Sequence, residues 1–211
     1  MSLQMRRTYW KILLIWVLVL AGCTGGGEHG VLFQDSFEDP GSGWDVDSYE
    51  VLERGYQSGE YFIELHKPNW FTWTTPGRGA GDVIIEADAR AVAGAEDGHF
   101  GIICRYSNAD NFYYFAISPD GYYAIFKRAE GRFEVLTGDG MLPTTAIKGG
   151  GEINSLMVVC RGEKLSFYVN GERAGEVVDE THRRGDVGLG AGSGPTGNIR
   201  VQFDDFRATW P

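Results

Sequence analysis

No stretch of this sequence is long and apolar enough to span a membrane. Its longest unbroken apolar run, Ile12 to Leu20, holds nine residues, where a ~30 Å hydrocarbon core needs about 20. Downstream of it there is no 3.6-residue apolar periodicity, which excludes a helical bundle. Lys and Arg form no stripe with interleaved aromatics, so nothing matches a phosphate backbone or an anionic lipid surface. Only three cysteines occur, at positions 23, 104 and 160, too few for a disulfide-dense scaffold. Neither Cys104 nor Cys160 has a second Cys or a His at zinc-ligand spacing. His29, His66, His99 and His182 are scattered, with no pair at metal spacing. No Gly-x-Ser-x-Gly nucleophile elbow appears.

The first 22 residues have the parts of a secretion signal: Arg6, Arg7 and Lys11, then the apolar run, then small residues. Leu20-Ala21-Gly22-Cys23 resembles the lipobox of bacterial lipoproteins at all four positions. The resemblance implies cleavage before Cys23 and lipid attachment to its thiol. Lipoproteins of this type carry at least a diacylglyceryl group, which anchors stably where a single chain does not. The expected organisation is a signal over residues 1–22, a lipidated Cys and Gly-rich tether over 23–31, and one folded domain over 32–211. The expected location is outside the cytoplasm, at the cell membrane or the outer membrane. Removing the signal takes away three cations and no acids. That leaves 16 cations against 29 acids, a net charge of −13, which serves solubility.

From Leu32 onward the pattern is strands and turns. Thirty-one Gly and many aromatic and β-branched residues point the same way. Candidate strands are 32–37, 49–53, 61–66, 71–74, 82–91, 100–106, 112–118, 122–127, 133–137, 153–160, 164–169, 172–178, 187–191 and 199–209. Asp120-Gly121, Glu130-Gly131, Arg161-Gly162 and Asn170-Gly171 separate several of them. Asn-Gly between alternating runs is a strong hairpin signal, so 164–169 and 172–178 are expected to pair antiparallel. So many short strands without a linker or repeat predict an all-β, two-sheet antiparallel β-sandwich. With Cys23 taken by lipid, Cys104 and Cys160 are left to bridge in an oxidising compartment. Two separate buried thiols are the alternative. If they bridge, alternation puts Ile102, Cys104 and Tyr106 on the core side and Gly101, Ile103 and Arg105 on the other.

Asp35-Ser36-Phe37, Trp44, Gly101 to Tyr106, Asn111 to Phe115, Asp120 to Tyr123, Tyr168 to Gly171, Gly185 to Leu189 and Phe203 to Phe206 follow one another in an order that resembles concanavalin A-like jelly rolls. Among these the chain is most similar to the laminin-G-like and 3-keto-disaccharide-hydrolase-like group. The resemblance implies a jelly roll over roughly residues 32–211. It leaves function open, because this fold hosts lectins, glycan hydrolases and adhesion modules. It also implies a Ca²⁺ site where the first and last strands pair, with Asp35, Asp204 and Asp205 as candidate ligands.

Glucanases of this fold carry Glu-x-Asp-x-x-Glu on one strand, as nucleophile, helper and general acid. Here the segment reads Glu86-Ala87-Asp88-Ala89-Arg90-Ala91, and the proton donor is missing. A binding surface fits the residues better. Sugars are held by aromatic platforms and a few planar polar groups, and Trp70, Trp73, Arg105, Tyr114 and Lys127 are the candidate set. Arg105 and Tyr114 are expected to share the non-core face of neighbouring strands, while the register of the strand holding Lys127 is ambiguous. The reading is a membrane-anchored carbohydrate- or surface-binding sandwich without catalysis, with a glycan as partner and no nucleic acid. A glycan hydrolase and a structural envelope protein are the alternatives.

Overall fold

A computed structural model describes residues 30–94 and 96–211. The signal sequence, Cys23 and His29 lie outside the described residues. Seventeen strands and no helix make up the described chain. In chain order they are β1 (Val31–Asp35), β2 (Asp47–Tyr49), β3 (Leu52–Gln57), β4 (Glu60–Leu65), β5 (Phe71–Thr74), β6 (Gly79–Ala80), β7 (Val83–Gly94), β8 (His99–Asn108), β9 (Asn111–Ile117), β10 (Tyr122–Ala129), β11 (Arg132–Val135), β12 (Leu142–Pro143), β13 (Asn154–Arg161), β14 (Lys164–Val169), β15 (Glu172–Val178), β16 (Gly185–Gly192) and β17 (Ile199–Thr209).

Two antiparallel sheets face each other. One runs β15-β14-β13-β7-β17-β4-β3-β2, with β1 paired to β17. The other runs β11-β10-β9-β8-β16-β5, with β12 on β10 and β6 on β16. The expected all-β sandwich is the observed fold. The β14–β15 hairpin forms across Asn170-Gly171, whose φ angles of 51° and 83° are the pair that a tight hairpin turn requires. Three strands carry no sequence signal: β2, β6 and β12 have two or three residues each, too few to show a pattern.

Between the sheets lies the main core. Alternate residues of each strand supply it, among them Ile102, Cys104, Tyr113 and Phe115 from one sheet and Leu156, Val158, Phe167 and Phe203 from the other. Cys104 in β8 and Cys160 in β13 are bonded, with Cα atoms 7.0 Å apart, so the bridge ties one sheet to the other through the core. Near the first turn, Asp35 accepts hydrogen bonds from Phe37 N and Trp44 Nε1, both at 2.8 Å. Phe37 and Trp44 are thereby pinned against each other, with ring centroids 5.5 Å apart.

The expected faces of β8 hold only as far as Cys104. Arg105 has a φ of 55°, and the pairing of β8 with both neighbours slips at this point. Such a bulge inserts one residue and exchanges the faces beyond it. Tyr106 therefore joins the outer face rather than the core, a correction to the alternation reading.

Candidate functional site

On the outer face of the second sheet is a second, smaller aromatic layer. Ile103, Phe112, Tyr114 and Ala116 are buried there, with Phe71, Trp73, Tyr106 and Phe126 packed against them. Buried residues on an outer face need a cover, and sheet curvature supplies it. Flat, β5 and β11 would stand about 24 Å apart at ~4.8 Å per strand. Instead Phe71 of β5 meets Phe133 of β11 edge to face at 5.2 Å. Phe71 also lies 5.0 Å from Tyr114, and Trp73 lies 5.7 Å from Phe112. β16 passes beneath these rings without obstructing them. A Cβ at Gly190 would stand 2.9 Å from the Tyr114 ring and 3.3 Å from Phe71. The glycine there is a packing requirement.

At one end the layer opens into a pocket of about 250 Å³, lined by Trp70, Phe71, His99, Tyr114, Phe126 and Phe133 together with Asn69 and Ser193. Trp70 is 45% exposed and Phe133 44%, so both offer ring faces to solvent. Ser193 Oγ accepts from Trp70 N at 3.0 Å and donates to Lys67 O at 2.5 Å, which fixes the segment that carries Trp70. His99 Nδ1 and the Tyr114 hydroxyl are 3.0 Å apart. Burial brings the His99 imidazole down to about 4, so it is neutral at pH 7. Burial raises the Tyr114 phenol well above its ordinary range. The lining is thus mostly aromatic and uncharged, with a few polar atoms among the rings, the usual make-up of a small-molecule pocket.

The structure sorts the sequence-derived set. Trp70 belongs to the pocket at the end of this layer, and Trp73 belongs to the layer itself. Tyr114 does too, but at 1% exposed it is floor rather than platform. Arg105 does not, because the bulge buries its guanidinium at 1% exposure. It donates to Gly81 O at 3.0 Å and His182 O at 2.9 Å, and pairs with Asp82 at 3.3 Å. Lys127 is also displaced. Phe126 and Arg128 take the aromatic side of β10, while Lys127 Nζ is held by Asp179 at 2.8 Å and Glu134 at 2.9 Å. Sequence reasoning missed Phe71, His99, Phe126, Arg128 and Phe133. A strictly alternating pattern in β10 would have located two of them.

Of the three calcium candidates, Asp35 and Asp205 line one surface hollow together with Glu38 and Asp39, and Asp204 is not among its walls. Asp35 turns inward and uses both oxygens on Phe37 and Trp44. Asp204 stands beside Asp88 across β17 and β7. Burial raises its carboxyl, with Asp205, Glu60 and Asp88 adding to the effect. Asp205 sits at a second slip in the pairing, with a φ of 48°. Among the described residues no group of three His, Cys, Asp or Glu side chains is placed to hold a metal. Glu86 and Asp88 lie in β7, in the sheet opposite the aromatic layer. They face no part of the pocket.

This architecture defines the chain as a two-sheet jelly-roll sandwich of the concanavalin A-like kind. Solved structures with the same fold include the carbohydrate-binding module CBM66 from Bacillus subtilis, 18% identical, with a TM-score of 0.56 over 80% of this chain and 96% of that one. A protein of unknown function with a galectin-like fold, also from Bacillus subtilis, is 11% identical, with a TM-score of 0.63 over 85% of this chain and 96% of that one. The GH43 BlXynB protein from Bacillus licheniformis is 18% identical, with a TM-score of 0.62 over 84% of this chain but only 39% of its own length. No protein-family model and no curated protein matches the sequence.

Proposed function

We propose that the chain is an exported, lipid-anchored glycan-binding module, with the open edge of the aromatic layer as its binding surface. The observation that carries this reading is the layer itself. Phe71, Trp73 and Phe133 are drawn together across six strands and remain partly open to solvent beside Trp70. Apolar rings left on a surface mark a binding site, and the apolar faces of sugar rings stack on such platforms. The likeness to a carbohydrate-binding module supports the same reading. The full lipobox ending in Cys23 supports lipid anchoring and display outside the cytoplasm.

A glycan array probed with the full chain in detergent tests the reading, alongside Trp70→Ala. Specific binding by the parent chain is expected. Trp70→Ala should weaken it by about tenfold, the scale of one aromatic contact, with the thermal midpoint nearly unchanged because the ring is exposed. A chain that binds no glycan, or binds equally well without Trp70, overturns the assignment.

A further inference from the structure

The aromatic layer carries a cation whose hydrogen-bonding capacity is largely unused. Arg128 follows Phe126 by two residues in β10 and so shares its face. Its guanidinium carbon is 5.1 Å from the Phe133 ring centroid, 5.8 Å from Trp73 and 6.0 Å from Phe112. Ring faces attract the charge but accept few of its five N–H bonds. The carboxylate beside it, Asp110, is 3.8 Å away. Arg128 Nε is buried without a hydrogen-bond partner, and among the described residues it alone is in this condition. A buried donor left so is a penalty that an incoming acceptor would relieve. Neighbouring cations are differently placed. Arg54 is held by Asp45, Asp47 and the Trp73 carbonyl. Lys127 is held by two carboxylates.

Resting on the glycan-binding reading, we propose that the ligand is acidic: a glycan with uronic acid units, whose carboxylate engages Arg128 while its ring lies against Phe133 and Trp73. The guanidinium is a planar fork that matches a carboxylate with two parallel bonds. Neutral sugar hydroxyls can offer acceptors to it but not the charge that makes such a bond strong. The Arg128 side chain is only 21% exposed among these rings, and a partly desolvated surround strengthens a charged hydrogen bond.

The test compares oligogalacturonate and oligoglucuronate with their methyl esters, which keep the ring and remove the charge. The full chain is titrated with each by calorimetry. The acid forms should bind at least about tenfold more tightly than the esters, the scale of a charge-assisted hydrogen bond. Arg128→Gln should erase that preference, and Arg128→Lys should retain part of it, with thermal midpoints confirming that both variants fold. If the esters bind as well as the acids, or if the preference survives Arg128→Gln, the acidic-ligand inference fails and glycan binding stands. The same holds if neutral array glycans bind and neither acid does. If no acidic or neutral glycan binds, both readings fall.

Discussion

Phe71 and Phe133 touch edge to face at 5.2 Å, although four strands separate β5 from β11 in their sheet. That single contact measures the curl of the sheet. It also explains why Tyr114, on an outer face, is as buried as a core residue. Side chains on this sheet belong either to the floor, the rim or the opposite face, and substitutions should divide accordingly.

Arg105 belongs to the support of the fold. Arg105→Ala removes donors from the Gly81 and His182 carbonyls and the partner of Asp82. Gly81 and His182 are only partly buried, so water can replace part of what is lost, and the cavity left by a side chain 1% exposed adds to the cost. We expect a loss of roughly 2–4 kcal/mol, read as a lower midpoint in urea. An unchanged midpoint would show that the guanidinium is dispensable.

The disulfide should account for much of the stability. It closes a separation of 56 residues, worth roughly 4 kcal/mol by the chain-entropy model against a typical total of about 5–15 kcal/mol. Replacing both cysteines by Ala should lower the thermal midpoint by many degrees. Intact-mass analysis should find Cys104 and Cys160 resistant to alkylation until reductant is added.

Acid should weaken the fold in two steps. His99 has a folded pKa of about 4, below its ordinary 6.5. Between those values the unfolded chain binds the proton and the folded one does not. Stability therefore falls as pH drops from 6.5 to 4, by up to about 3 kcal/mol. His99→Gln should flatten that slope in denaturant titrations across this range. Asp179 acts lower. Burial pushes its carboxyl up, but hydrogen bonds from Lys127, Tyr113 and Thr181 outweigh it and hold it well below the carboxylate range. Its contribution is complete above about pH 4 and is lost as pH falls further, so Asp179→Asn should change only the more acidic part of the curve.

Cys23→Ser should release the chain from membranes or leave it uncleaved, as read by fractionation and by mass. A variant that matures and fractionates like the parent would rule out lipid attachment at this residue.

Strand positions were legible where turn chemistry is local. Asn170-Gly171 marks its hairpin, and β5, β14, β15 and β17 run over the residues expected of them. The direction of individual side chains was less so. At Arg105 a non-glycine residue adopts a left-handed φ that nothing in its neighbours announces, and the faces exchange there. In Tyr122 to Ala129 apolar residues do not alternate strictly, so the sequence leaves open whether Lys127 or its neighbour Arg128 faces the aromatic layer. The second aromatic layer was hidden for a different reason. It depends on the curl of a whole sheet, and no local pattern near Phe71 or Phe133 encodes that.

The self-packed rings have a thermodynamic consequence. Phe71, Trp73, Phe112 and Tyr114 are clamped by one another before any ligand arrives, so little side-chain freedom remains to be lost on association. Ordering a loose side chain costs about 0.5–1.5 kcal/mol, and this surface has met that cost during folding. It should act as a rigid die, recognising shape with small contact area. A single methyl at Gly190, beneath the rings and out of a ligand's reach, would be enough to misalign it.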